Sequence, residues 1–356
     1  MTRERPDPSE LPVRDAVERY LRRRRSDATE SSVKSWKYRL KIFVEWCEGV
    51  GIETVGDLRR YDLDEYNDLR SGKVAPATLE AEMWTLKTFT RYLDEQLGAV
   101  EEDLHEAVRI PDLDPEDRSD DVSLRRDAAL ALLEHYRSDP SVRATRAHIF
   151  LELAWFTGAR QGGLRALDVR DVNYEDGFVE FHHRPDTGTP LKNKIRGERP
   201  VGLPEEVMGY LREYVREKRH ETSDEHGRLP LLASTKGRPT PNTVRNWSYM
   251  ATQPCLHSPC PHDKERETCD WTIYSQSSKC PSSRSPHKIR TGSITWQLNI
   301  GFPPEVVAER VNASVSVIED HYDWATREER WQRRRDRMHS RREYVEQLGF
   351  EVDDDE

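Results

Sequence analysis

The chain has 356 residues, room for two or three domains at ~150 residues each and for at least one substantial core. Apolar residues make up 35% and charged residues 34%, with 66 acidic against 56 basic side chains, a more polar balance than an ordinary globular protein has. No run approaches the ~18 apolar residues of a membrane-spanning helix, and Met1 to Glu10 lacks the apolar centre of a signal peptide, so no membrane partner and a cytoplasmic protein are expected.

A net charge of −10 argues against a phosphate-rich partner, but only weakly. Only 12 of the basic residues are lysine, and the acids are spread along the whole chain. Such a composition suits a protein solvated for high salt, in which net charge serves solubility and says little about local patches.

In chain order, Val13, Ala16, Val17, Tyr20 and Leu21 mark one helical face, and Val33, Trp36, Leu40, Phe43, Val44 and Cys47 mark a second. A shorter helix is expected over Asp62 to Arg70. A long one follows Pro76, striped by Leu79, Met83, Leu86, Phe89, Leu93 and Leu97 and stopped at Gly98. These form a helical unit over 10–100, with an acidic, proline-containing linker at 101–122. Beyond it, helices are expected at Arg125 to Arg137, Val142 to Phe156, Glu205 to Lys218 and Pro241 to Ala251, the last capped by Thr240. Phe178 to Phe181 and Arg199 to Leu203 read as two strands of a hairpin with a long tip, and Leu229 to Ala233 as a further short strand. From Pro286 the chain is helical again and ends in an acidic tail.

Three pieces carry chemistry. Thr157-Gly158-Ala159-Arg160 breaks a helix and presents a guanidinium at a turn. In Pro286-His287-Lys288-Ile289-Arg290, His287 and Arg290 share a helical face, so an acid/base group and a fixed cation can approach one anion together. Tyr322 follows about 30 residues later, in Glu319-Asp320-His321-Tyr322. Each piece alone is also what an ordinary helical surface offers.

The order TGxR, HxxR, then tyrosine resembles the tyrosine recombinase/integrase family, and the salt-adapted composition points to a haloarchaeal type of member. The resemblance covers roughly Val13 to Arg330 and implies a mainly α fold with a small β-hairpin sheet. An N-terminal helical core-binding domain that clamps DNA (10–100) would precede a mixed α+β catalytic domain (123–330). It implies a site-specific enzyme that cleaves and rejoins double-stranded DNA through a 3′-phosphotyrosine, without ATP, metal or other catalytic cofactor. Arg160 and Arg290 would grip the scissile phosphate, His287 would be the acid/base histidine and Tyr322 the nucleophile. The family's hairpin lysine is matched by Lys194, because Glu-Arg-x-Val-x-Leu follows it, with Lys192 as the alternative. One position departs from the pattern. Where the family has a histidine or tryptophan nine residues before the tyrosine, this chain has Ala313, which leaves Asn312, a backbone group or a water to support the phosphate.

The segment 254–285 falls where that match implies an insertion. Its Cys255, Cys260, Cys269 and Cys280 can supply four thiolates to one structural zinc, with His257 and His262 as substitutes, although no CxxC pair is present. After the tyrosine, Trp324, Trp331, Met338 and Val345 recur every seven residues, running into a C-terminal helix and tail (331–356). That stripe suits self-association, as dimer or tetramer on DNA, and Arg333, Arg334 and Arg335 suit phosphate. Two other readings compete: a recombinase-fold regulator that binds DNA without cutting it, which Ala313 favours, and a zinc-stabilised interaction module.

Overall fold

The computed structural model describes residues 6–113 and 122–322, together with Arg335 and Met338. The chain divides into two compact units, Met1–Asp120 and Asp121–Glu356.

Among the described residues of the first unit the apolar spacing produces helices α1 (Val13–Arg24), α2 (Glu30–Val50), α3 (Arg60–Ser71) and α4 (Pro76–Arg91). The Thr29 hydroxyl accepts the Ser32 amide and starts α2, and Gly51, at φ +83°, ends it. α4 runs into a wider turn, Tyr92–Leu97, closed by Gly98. The inward stripes meet in one core, where Tyr20 packs edge-on against Phe89 and Phe43 against Tyr66. Each large apolar side chain buried there contributes about 1.5–3 kcal/mol. Cys47 is part of this core, and burial pushes its thiol up to about 12, so it is an inert packing group.

The second unit is also mainly helical. Its helices are α5 (Arg126–Ser138), α6 (Arg146–Thr157), α7 (Gln161–Ala166), α8 (Glu205–Glu213), α9 (Pro241–Ala251), α10 (Pro286–Asn299), α11 (Pro304–Val311) and α12 (Val315–Tyr322). A small antiparallel sheet, ordered β1-β2-β3, joins Val172–Asn173, Phe178–Phe181 and Arg199–Gly202. Val179 pairs with Val172 on one side and Val201 on the other, which turns Val179, Phe181 and Val201 into the core. β1 was not expected. Conversely, Leu229 to Ala233 is not a strand: it makes only a bridge, Asp168 to Pro230, with two flanking backbone bonds to the 167–169 segment. Its apolar run is explained by burial of Leu231, Leu232 and Ala233 in the main core.

α10 is fixed by close backbone approach. The Leu124 amide donates to the Lys288 carbonyl (3.0 Å), and a Cβ at Gly292 would lie 1.8 Å from the Leu124 oxygen. Only glycine fits there, and the contact sets the rotation of the helix that carries His287 and Arg290.

Candidate active site

Arg160 is the residue before α7, where the chain has left α6 through Gly158 at φ +57°. A Cβ at Gly158 would also strike Val311 at 2.8 Å, so this glycine lets α6 end directly against α11. Arg290, one turn after His287 on α10, is buried at 2% exposure. Its Nη1 donates to the carbonyls of Gly158 and Val311, both at 2.6 Å. The Arg160 Nη1 donates to the carbonyl of Asn312.

The end of α11 explains why these arginines meet. Asn312 adopts φ +55°, ψ +64°, a left-handed conformation that asparagine tolerates better than most residues. The Asn312 amide bonds to the Glu309 carbonyl and the Ala313 amide to the Ala308 carbonyl, closing the helix in a Schellman turn. The carbonyls of Arg310, Val311 and Asn312 are left without helical donors, at the negative end of the helix dipole. Each takes one arginine: Arg199 to Arg310 (2.6 Å), Arg290 to Val311, and Arg160 to Asn312. Ala313 packs against the apolar cluster of α10, α11 and α12, in the position where a Schellman turn favours an apolar residue.

His287 is exposed, yet desolvation by its surroundings lowers its pKa below the ordinary histidine value, and the cations Arg290, Lys288, Arg160 and Lys192 lower it further. The hairpin tip between β2 and β3 carries both candidate lysines. Lys194 is exposed, at φ +54°, at the start of a short turn, Lys194–Gly197. Lys192 is exposed too, and of the two it is the one whose charge acts on His287. The tip is tied to α11 by Asn193, whose Nδ2 donates to Asn312 Oδ1 at 2.7 Å. Tyr322 is the last residue of α12, which packs against α10 and α11. The chain beyond it, including Trp324, Trp331, Val345, Arg333 and Arg334, lies outside the described residues apart from Arg335 and an exposed Met338.

Among the described residues no three groups that include Cys255, Cys260, Cys269 or Cys280 come within 4.8 Å of one another; the set that does is Asp94, Asp103 and His105 in the first unit. Asp94 there already accepts from the Asp103 amide and the His105 ring. Protein contacts also hold the insertion. Arg266 donates to Gln253 and to the Cys255 sulfur (2.9 Å each), Gln253 donates to the Trp271 carbonyl, and Cys280 is buried.

Arg199 was read from sequence only as a strand residue. The signal available was the position of an asparagine after a helix, which marks a left-handed cap and so a set of free carbonyls.

Among solved structures, the Tn1549 transposon integrase in complex with a circular intermediate DNA is 14% identical. It aligns over 91% of this chain and 99% of that chain, with a TM-score of 0.63. A lambda integrase dimer bound to a core site is also 14% identical, over 89% of this chain and 79% of that one, with a TM-score of 0.58. The chain has the tyrosine recombinase fold. Its neighbours among solved structures are tyrosine recombinases and integrases, several of them captured on DNA. The N-terminal domain of a phage integrase/site-specific recombinase from Haloarcula marismortui is 47% identical over 28% of this chain and 97% of that one, with a TM-score of 0.28. No protein-family model and no curated protein matches the chain. No described helix is long and apolar enough to cross a membrane.

Proposed function

We propose that the protein is a site-specific DNA recombinase that cuts and rejoins strands through a 3′-phosphotyrosine on Tyr322. The observation that carries this reading is the fastening of Arg160 and Arg290 to adjacent carbonyls, Asn312 and Val311, with His287 one turn from Arg290. Two guanidiniums held side by side are suited to grip the oxygens of one phosphate and to stabilise charge as the phosphorane forms.

In the proposed step the Tyr322 oxygen attacks phosphorus and the bond to the 5′ oxygen breaks. Tyrosine ordinarily ionises near pH ~10, so the reaction needs a proton acceptor and nearby cations. His287, kept neutral by its lowered pKa, can accept the phenolic proton. Lys194 on the hairpin tip, with Lys192 as the alternative, would protonate the leaving 5′ oxygen. The phosphotyrosine conserves the bond, so the reverse attack by a 5′ hydroxyl reseals DNA without ATP. Self-association on DNA belongs to the same proposal.

The test is covalent trapping on nicked suicide DNA from the surrounding genome, at high and low salt. A denaturation-resistant adduct formed by the wild type and absent in Tyr322→Phe is expected. If both proteins bind the same DNA site and neither forms an adduct, the enzyme reading is overturned. The regulatory reading, favoured by Ala313, then takes its place.

A further inference from the structure

We infer that Arg199 is a third phosphate-binding guanidinium of this site, adding a donor in a chain whose Ala313 offers none. The inference rests on the recombinase reading and goes beyond it by adding a residue and a reason for its presence.

Arg199 opens β3, and its guanidinium lies over the Phe181 ring, 4.5 Å from the centroid. Its Nε donates to the Arg310 carbonyl at 2.6 Å and its Nη1 to the Gly197 carbonyl at 2.9 Å. The remaining nitrogen, Nη2, has no protein acceptor among the described residues. Arg199 also has no carboxylate partner among them. The charges acting on it are those of Arg290, Arg160 and Arg310, all positive, and with burial they lower its pKa to about 9. It therefore stays charged at neutral pH.

A half-buried cation beside the positive charges of Arg290, Arg160 and Arg310 is costly unless something negative completes its bonds. Elsewhere in this unit the protein supplies carboxylates for that purpose. To Arg199 it supplies carbonyl oxygens, which orient a guanidinium without neutralising it. The carbonyl of Arg310 precedes the two that hold Arg290 and Arg160, so one helix end presents three guanidiniums in register. A phosphate is the ligand that this arrangement fits, because its oxygens can each accept a separate charge-assisted bond.

The test uses the full chain with Arg199→Gln, which keeps a donor near the Arg310 carbonyl, and Arg199→Lys, which keeps the charge but not the fork. Thermal melting first establishes that each variant is folded. Trapping is then measured on two DNAs: one with an ordinary scissile phosphate, and one whose mapped scissile phosphate is a neutral methylphosphonate.

Loss of a donor to a developing oxyanion slows reaction by about 10²–10³-fold. That deficit is expected for Arg199→Gln on the ordinary DNA, with Arg199→Lys intermediate. On the methylphosphonate, where there is less charge to hold, the deficit should shrink at least tenfold. An equal deficit on both DNAs would make Arg199 a purely structural residue and overturn the inference. Should the wild type itself form no adduct, the recombinase reading fails separately. Arg199 is then judged by inorganic phosphate at constant ionic strength: it should raise the melting temperature of the wild type more than that of Arg199→Gln, and equal shifts would overturn the inference.

Discussion

The arginines around Asp168 and those around the end of α11 lie in the same unit and differ in what holds them. Asp168, 1% exposed, receives Arg228 at 2.8 Å and Arg238, with Arg184 at 3.3 Å. Asp171 and Asp224 take the remaining bonds of Arg184 and Arg238. That cluster is held by carboxylates, with the exposed Arg170 also reaching Asp168 at 3.5 Å, and it ties the turn after α7 to the 184 and 224–238 loops. The cluster at α11 is gathered on main-chain carbonyls, which fix the position of each guanidinium. On the proposed reading the same side chain serves as mortar in one place and as a binding group in the other.

Three substitutions or conditions bear on this contrast. Asp168→Ala should have the largest effect, a loss of about 3–5 kcal/mol, because it leaves the buried Arg228 without a carboxylate and strips Arg184 and Arg238 of one each. Chemical denaturation reads that loss, while the trapping rate of the molecules that remain folded should be unchanged. A similar fall in trapping per folded molecule would mean that the two clusters are not separate in function.

At Asn312 a smaller effect of about 1–2 kcal/mol is expected for Asn312→Val, since a β-branched residue resists the left-handed region. Glycine accepts that conformation, so Asn312→Gly should stay within a few tenths of the wild type. The valine variant should also trap DNA more slowly, because the carbonyl that holds Arg160 is misdirected. Equal trapping by both variants would remove the carbonyl from the argument.

The smallest effect concerns pH. A histidine with a lowered pKa stays neutral further into acid than a free one, so the midpoint for loss of proton acceptance by His287 lies below pH 6.5. The wild-type trapping rate should therefore fall on the acid side with its midpoint below pH 6.5. A fall centred above pH 6.5 would contradict the cationic surroundings assigned to His287.

Much of this was legible in the sequence for a physical reason. Apolar spacing reports directly on burial, so Leu79, Met83, Leu86 and Phe89 mark α4 and its core face without further information. TGxR, HxxR and the tyrosine are side-chain signals, and the structure places Arg160, His287 and Arg290 together. What held them together was not legible, because a main-chain carbonyl is present at every residue and only its freedom distinguishes it. Arg199 was overlooked for that reason. The bonds by which Gln253, Arg266 and Trp271 order the loop around the cysteines were not legible either, because cysteine spacing suggests ligands and does not encode such contacts. Ala313 looked like a missing catalytic group and is also a packing residue of a helix cap.

The contact between Leu124 and α10 bears on where this protein can be divided. Ser123 and Leu124 precede α5, yet the Ser123 carbonyl accepts from Arg284 at 3.2 Å and the Leu124 amide donates to Lys288. Those two residues form a strap across the start of the helix that bears His287 and Arg290. A fragment meant to carry the second unit alone must therefore begin no later than Ser123. One starting at α5 would keep every residue of the proposed chemistry and lose the brace that aims two of them.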